Sequence, residues 1–245
     1  MPAAVRGPPS CSSELAIAGA VKPTPSDPHA PTPSILPAGW IGTDEAGKGD
    51  YFGPLVVAGV YVTEITAAHL REAGVRDSKT LSDKRIGELA AEVRRSCPHS
   101  VVAIGPERYN DMYAKIRNLN RLLAWAHARV IENLLEQVSC DRVVSDQFGD
   151  ERVLQQALME KGRQVQLEQR PRAEDDVAVA AASIVARAEF VRRLEQLSRS
   201  FGVDLHKGAG PPVLTSGRRF VAQHGRAALA QVAKLHFKTT QQIGG

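Results

Sequence analysis

The segment from Gly42 to Val62 constrains the fold of this chain more than any other. It places two acids, Asp44 and Glu45, after a short apolar lead-in and follows them with a glycine-rich turn and an apolar run from Leu55 onward. Two apolar segments joined by such a turn are typical of a β-hairpin. Carboxylates at a sheet edge, beside glycines that let a ligand approach the backbone, indicate a metal or phosphate site.

The same segment has a second interpretation as a phosphate-binding P-loop, because Gly42 to Gly49 follows the pattern G-x-x-x-x-G-K and ends in glycine. Gly49, however, stands where a P-loop has the Ser or Thr that binds magnesium. Two anionic side chains inside the loop would repel phosphate, and Gly53-Pro54 leads into a strand rather than a helix. The P-loop is therefore excluded. A solvated acidic turn between two strands remains as an alternative at this point.

Positive charge is concentrated at the C-terminal end of the chain. The 245 residues carry a formal net charge of +4, and the sequence pI is near 9.1. Residues 201–245 contain six lysines and arginines against a single acid, Asp204. Such a distribution is typical of a surface that faces nucleic acid, and an ordinary solvated surface is the alternative.

Cysteine spacing and hydropathy exclude several classes of protein. Cys11, Cys97 and Cys140 show no metal-binding or disulfide spacing, which favours a reducing cytoplasm. No signal-peptide pattern opens the chain, and its longest apolar run is far too short for a membrane span. Residues 1–38 hold nine of the fifteen prolines. We expect a disordered tail there, followed by one domain over 39–245.

Hydrophobic periodicity predicts an α/β domain with a mixed sheet. Strands are predicted over residues 39–45, 54–63, 100–104, 142–146 and 165–169. Helices are predicted over residues 83–96, 119–138, 150–161 and 177–197. A polar loop at 206–215 and one or two helices up to about Leu235 complete the chain. Early hairpins followed by alternating strands and helices favour this fold class.

Acids recur where strands end. Asp44 and Glu45 follow the first strand, and Asp146 ends a later one. A third group, residues 174–176, precedes the last long helix, where such acids also stabilise a helix start. Hard oxygen donors that meet at one sheet edge suit Mg²⁺ or Mn²⁺ and phosphoryl chemistry. Neighbouring strand residues point to opposite faces, so Asp44 and Glu45 share a site only if the strand ends or bulges there.

Gly42 to Pro54 is similar to the signature of type 2 ribonucleases H, and Asp50 to Pro54 resembles the ribonuclease HIII branch. Further segments agree in order: Asp77 to Leu81, Asn118 to His127, Ala178 to Arg187, Lys207 to Gly210 and Ala233 to Thr240. The resemblance covers nearly everything from Gly39 onward. It implies a ribonuclease H-like fold, with a mixed central sheet flanked by helices and a helical C-terminal extension.

The resemblance also implies an activity and its residues. The expected reaction is cleavage of the RNA strand of RNA–DNA hybrids, with Mg²⁺ or Mn²⁺ in a two-metal site, leaving 5′-phosphate and 3′-hydroxyl ends. The implied catalytic and metal-binding acids are Asp44, Glu45, Asp146 and Glu174. Asp175 is the alternative to Glu174, because a one-residue shift matches the ribonuclease HII aspartate. The implied substrate-binding residues are Gly47, Lys48, Gly49, Lys79 and Lys207.

Two departures from the family pattern bear on the substrate. In the HII branch a tyrosine that packs on a junction sugar follows His-Lys-Gly, and Ala209 stands there in this chain. This favours cleavage within longer RNA tracts. The HIII branch usually has a folded N-terminal domain that grips the hybrid, which residues 1–38 are too short and polar to replace. We expect Lys234 and Lys238 to supply part of that grip.

Two alternatives stay open. One is a ribonuclease HII-type enzyme that incises at single ribonucleotides embedded in duplex DNA, and the other is a catalytically inactive hybrid-binding protein. The expected partner in each case is nucleic acid. We expect a cytoplasmic monomer that does not associate with membranes.

Overall fold

The computed structural model describes residues 39–76 and 81–243. The predicted tail over 1–38, the boundary at its end and Lys79 lie outside this part of the chain. The strands are β1 (Gly39–Ala46), β2 (Leu55–Thr63), β3 (His99–Ile104), β4 (Arg142–Asp146) and β5 (Gln166–Arg170). They form one sheet in the order β3-β2-β1-β4-β5. The first three strands are antiparallel neighbours, whereas β4 and β5 run parallel to β1, so the predicted mixed sheet is confirmed.

The helices agree with the predicted periodicity except at short elements. They are α1 (Glu64–Glu72), α2 (Asp83–Ser96), α3 (Pro106–Ile116), α4 (Leu119–Leu135), α5 (Glu151–Ala157), α6 (Val177–Phe201), α7 (Pro211–His224) and α8 (Thr239–Ile243). Short 3₁₀ turns cover Gly162–Gln164, Ala173–Asp175 and Arg226–Gln231. Helix α5 is shorter than predicted, and α7 begins inside the predicted polar loop because Pro211 suits a first helical turn. No helix in the described ranges is long and apolar enough to cross a bilayer.

Strand β2 explains how the core is divided. All nine of its residues are buried. Val56, Ala58 and Val60 pack in the apolar cluster that contains α6, whereas Leu55 and Val57 pack in the cluster that contains α4. A strand covered by helices on both faces has a continuous apolar sequence rather than an alternating one.

Helix α6 approaches the sheet closely because small residues face each other at the contact. A Cβ placed on Gly42 of β1 would lie 2.2 Å from backbone atoms of Ala178 and Val179. The predicted slim, alanine-rich face is buried at this contact. The start of α6, with the turn before it, therefore lies beside the C-terminal ends of β1 and β4.

Candidate active site

Strand β1 carries Asp44 and Glu45 on opposite faces of the sheet. Its pairing with β2 continues in one register as far as Ala46, opposite Val56. The strand therefore does not bulge at the acids, but it ends one residue after Glu45, at Ala46. Asp44 faces α6, where Ser183 hydrogen-bonds to its carboxyl group, and Glu45 faces α4. Both still reach one cleft because they lie at the end of the strand, where the sheet no longer separates its two faces.

A cleft of about 470 Å³ at this end of the sheet contains three of the four predicted acids. Asp44 and Glu45 come from β1, and Asp146 comes from the end of the adjacent parallel strand β4. Arg187 of α6 and Lys207 also line the cleft. Arg187 and Lys207 would attract an anionic substrate, whereas the three carboxylates would repel it unless a cation lies between them.

Asp44 is electrostatically disfavoured as an anion. Burial, followed by the negative charge of Glu45, raises its pKa to about 8, with a smaller contribution from Asp146. Hydrogen bonds from Ser183 and from the backbone amide of Glu45, whose nitrogen lies 2.7 Å from Asp44 Oδ1, oppose this rise without cancelling it. A cation in the cleft would offset the same repulsion.

Glu45 behaves in the opposite way. Burial raises its pKa, but hydrogen bonding and charge from His127 and Lys48 outweigh burial and lower the pKa below its ordinary value. His127 Nε2 lies 3.3 Å from Glu45 Oε2, and Lys48 Nζ lies 3.4 Å from Oε1. One acid of the pair is thus held as a carboxylate while its neighbour retains a proton near neutral pH.

The turn Ala173–Asp175 connects Asp146 with the acidic group before α6. Asp146 Oδ1 accepts a hydrogen bond from the backbone nitrogen of Ala173 at 3.1 Å. Glu174, the next residue, is half-buried but does not line the cleft that contains the other three acids. Its assignment to the site therefore remains a prediction.

The other two acids of this group have structural partners. Asp175 is exposed and forms an ion pair with Arg170, with 2.7 Å between Oδ1 and Nη2. Asp176 caps α6, since its Oδ1 accepts from the backbone nitrogen of Ala178 at 2.8 Å, and it also accepts from Trp40 Nε1 at 3.0 Å. The helix-start interpretation is therefore confirmed for Asp176.

The glycine turn, residues 47–53, contains glycines that differ in whether the fold requires them. Gly47 has φ +87°, and a Cβ there would lie 2.2 Å from the carbonyl oxygen of Pro54, so glycine is needed for the fold. Gly49 is exposed, and an added Cβ would meet nothing within 4 Å. Only Gly49 thus fits the expectation of open access for a ligand.

Lys48 and Lys207, the two predicted substrate-binding lysines within the described residues, have protein partners. Lys48 is paired with Glu45 as described, and Lys207 Nζ lies 2.6 Å from Asp83 Oδ2 on α2. Arg187 lies 3.5 Å from the other oxygen of the same Asp83 carboxylate. A substrate phosphate would compete with Asp83 for both cations.

Lys234 does not belong to the exposed basic surface to which the sequence assigned it. Its side chain is fully buried, and Nζ donates to the carbonyl oxygens of Asp50 at 2.7 Å and Gly53 at 2.8 Å, with Phe52 at 3.4 Å. Burial lowers its pKa to about 7, although the charge of Asp50 opposes the shift. The expected phosphate grip by Lys234 was wrong, because this side chain binds the backbone of the glycine turn instead.

Sequence reasoning assigned no role to His127 or Asp50. His127 is fully buried on the face of α4 that packs on β1, and Asp50 Oδ1 accepts a hydrogen bond from Gly208 N at 2.6 Å. For His127, the sequence signal that could have indicated a role was a histidine within the apolar face of a helix. No local pattern marks Asp50, because its partner lies 158 positions away.

The donor set of the cleft fits a divalent cation by its chemistry. Asp44, Glu45 and Asp146 offer hard carboxylate oxygens, and burial together with the charge of Glu45 raises the pKa of Asp44. Within 39–76 and 81–243, no three His, Cys, Asp or Glu side chains form a ready-made metal cluster. A bound cation would therefore have to draw the acids together against their repulsion.

A mixed sheet with acids at the ends of two adjacent strands, covered by helices on both faces, defines a ribonuclease H-like protein. The family model for ribonuclease HII matches residues 41–240, and the chain belongs to that family. It is 47% identical to ribonuclease HIII of Protochlamydia amoebophila over 88% of its own length and 71% of the relative's.

Solved structures agree with this family. The crystal structure of Bst-RNase HIII in complex with Mn²⁺ matches with a TM-score of 0.79 and 34% identity, over 86% of this chain and 70% of the other. RNase HII in the PCNA complex from Archaeoglobus fulgidus matches with a TM-score of 0.65 and 33% identity, over 76% of this chain and 88% of the other. The predicted family and fold are thereby confirmed.

Proposed function

We propose that this protein is a metal-dependent endoribonuclease that hydrolyses the RNA strand of RNA–DNA hybrids and leaves 5′-phosphate and 3′-hydroxyl ends. The observation that carries the proposal is the cleft in which Asp44, Glu45 and Asp146 converge beside Arg187 and Lys207. Membership of the ribonuclease HII family, with relatives named ribonuclease HIII, supports the choice of substrate.

The acids Asp44, Glu45, Asp146 and Glu174 would hold Mg²⁺ or Mn²⁺ in a two-metal site. When bound, these ions supply an activated water and neutralise charge on the scissile phosphate. Glu174 is preferred to Asp175 because Asp175 is exposed and paired with Arg170. The backbone N–H of Ala173, the residue before Glu174, already donates to Asp146. This hydrogen bond keeps the turn that carries Glu174 beside the other acids.

The remaining predicted residues would position the substrate. The open backbone at Gly49 is where a ribose 2′-hydroxyl would approach, within the loop Gly47-Lys48-Gly49. Lys48, Lys79 and Lys207 would contact phosphates. The exposed Ala209 leaves no aromatic ring to pack on a junction sugar, so we expect uniform RNA tracts to be preferred to a single embedded ribonucleotide.

The test is a cleavage assay on two end-labelled substrates, a uniform RNA–DNA hybrid and a DNA duplex with one ribonucleotide, each with Mg²⁺ and with Mn²⁺. We expect metal-dependent cleavage of the hybrid and its loss in Asp146→Asn, with Asp141→Asn as the matched control, because Asp141 is exposed just before β4. Preference for the single ribonucleotide would establish the HII-type alternative. Tight hybrid binding without cleavage under either metal would establish an inactive binding protein.

We further propose a monomer that works in the cytoplasm. Cys97 and Cys140 are both free, as expected for a protein kept under reducing conditions. Light scattering coupled to gel filtration tests the oligomeric state, and a mass of twice 26.4 kDa would contradict it.

A further inference from the structure

Helix α4 buries a histidine against the acid-bearing strand. His127 has no exposed surface, although it lies among apolar side chains that fill the core between α4 and the sheet. A buried imidazole requires hydrogen-bond partners. Both ring nitrogens find them on one strand: Nδ1 lies 3.0 Å from Thr43 Oγ1, and Nε2 lies 3.3 Å from Glu45 Oε2.

These partners determine the tautomer of the ring. A carboxylate only accepts hydrogen bonds, so Nε2 must carry the hydrogen that faces Glu45. Nδ1 is bound to the Thr43 hydroxyl group, which can either donate or accept a hydrogen bond. Thr43 and Glu45 are two residues apart on β1 and therefore share a face, which is why one ring can bind both.

The imidazole ring also has a stacking partner on its face. Phe148 stacks on it with 4.7 Å between centroids and 25° between planes. Phe148 follows Asp146 by two residues, so the same imidazole packs on the loop that leaves the second acid-bearing strand. With one carboxylate oxygen bound to His127, Glu45 Oε1 is the oxygen turned to Lys48, 3.4 Å away.

We propose that His127 is a positioning residue for the metal site: it holds Oε2 of Glu45 on the α4 side so that Oε1 stays available to a cation in the cleft. The inference rests on the proposed function, in which Glu45 is a metal-binding acid. Removal of hydrogen-bond partners behind metal-binding side chains typically costs about 10–100-fold in metal affinity.

The test measures Mn²⁺ binding to substrate-free protein by the loss of the free-ion electron paramagnetic resonance signal. We expect His127→Leu to bind Mn²⁺ about 10–100-fold more weakly. His127→Gln, which keeps an N–H donor, should recover most of this loss. The matched control is Val130→Ala, a buried substitution on the same helix whose side chain packs against Gly59 of β2.

Wild-type affinity in a folded His127→Leu variant, or equal weakening in Val130→Ala, would overturn the inference while leaving the proposed function intact. Absence of both Mn²⁺ binding and hybrid cleavage in the wild type would overturn the two together. If His127→Leu fails to fold, ¹⁵N NMR of the wild-type imidazole decides: a hydrogen on Nε2 supports the geometry, and a ring whose only hydrogen is on Nδ1 contradicts it.

Discussion

The cleft joins two regions: an acid end, formed by the side chains of Asp44, Glu45 and Asp146, and the glycine turn, which contributes Gly47 and Asp50. The acid end is electrostatically strained, since burial and a neighbouring anion raise the pKa of Asp44 to about 8. The turn is satisfied by the protein itself, because Lys234 binds three of its carbonyl groups.

The difference indicates two kinds of preorganisation. The acid end is poised to accept a charge that the protein lacks, so its stability and its activity should respond to cations and pH. The turn is fixed by segments far away in the chain: Tyr51 N donates to Gly208 O at 2.8 Å, and Gly53 N donates to Val232 O at 2.8 Å. Its contribution should respond to substitutions that loosen those contacts.

The largest expected effect is at the acid end. Asp146→Asn removes a carboxylate where charge develops in the reaction, and loss of several kcal/mol of transition-state stabilisation corresponds to roughly a 10³-fold fall in kcat. Its unfolding free energy in the absence of metal should change little. Single-turnover cleavage of a uniform hybrid measures the rate, and chemical denaturation measures the unfolding free energy. A cleavage rate within tenfold of the wild-type rate would show that Asp146 does not belong to the active site.

In the glycine turn, by contrast, we expect substitutions to lower the stability of the protein. Lys234→Met leaves the carbonyl groups of Asp50 and Gly53 buried without a donor, so we expect the free energy of unfolding to fall by roughly 2–3 kcal/mol. Lys238→Met is the matched control, because Lys238 is exposed on the same segment. Urea denaturation of both variants provides the measurement, and equal stabilities would show that the buried amino group does not hold the turn.

Two glycines sharpen the comparison within the turn. Gly47→Ala forces a side chain into φ +87° and against the Pro54 carbonyl, at a cost of roughly 1–3 kcal/mol. Gly49→Ala meets no neighbour, so its stability should match the wild type. If Gly49 is where the ribose approaches, only the Gly49 variant should lose hybrid cleavage while remaining as stable as the wild type. Intact cleavage by Gly49→Ala would place ribose recognition elsewhere.

The smallest effect, counted per pH unit, concerns pH without divalent cations. The folded-state pKa of Asp44 is raised from 3.8 to about 8, so the folded protein binds more protons than the unfolded chain between these values. Stability from this group is complete below about pH 4 and is lost as pH rises through about 8, by at most ~1.4 kcal/mol per pH unit. Thermal denaturation in EDTA should show this loss, and Asp44→Asn should remove it. An unchanged pH dependence in that variant would assign the loss to other groups.

The sequence was sufficient for the parts of the molecule that depend on local periodicity. The strand 142–146 and the helix that begins after Ser82 were predicted correctly, and three of the four acids meet in one cleft. Helices α1 and α3 were missed, although Thr63 forms a capping box at the start of α1 and Pro106 stands at the start of α3.

Burial of polar groups was the part that the sequence could not provide. Lys234 lies in a basic segment and was expected on the surface, but its environment is created by residues about 180 positions earlier in the chain. The orientation of Glu45 likewise depends on His127, 82 positions away on another element. Charge type and spacing identify which residues carry chemistry, whereas tertiary packing decides what holds them.

The central claim is that acids from separate strands share divalent cations, and anomalous diffraction from crystals soaked in Mn²⁺ tests it most directly. We expect a peak in the cleft, with carboxylate oxygens of Asp44, Glu45 and Asp146 at about 2.0–2.3 Å and Glu174 beside it. Anomalous density only at other places on the protein, with the cleft empty at saturating Mn²⁺, would contradict the account.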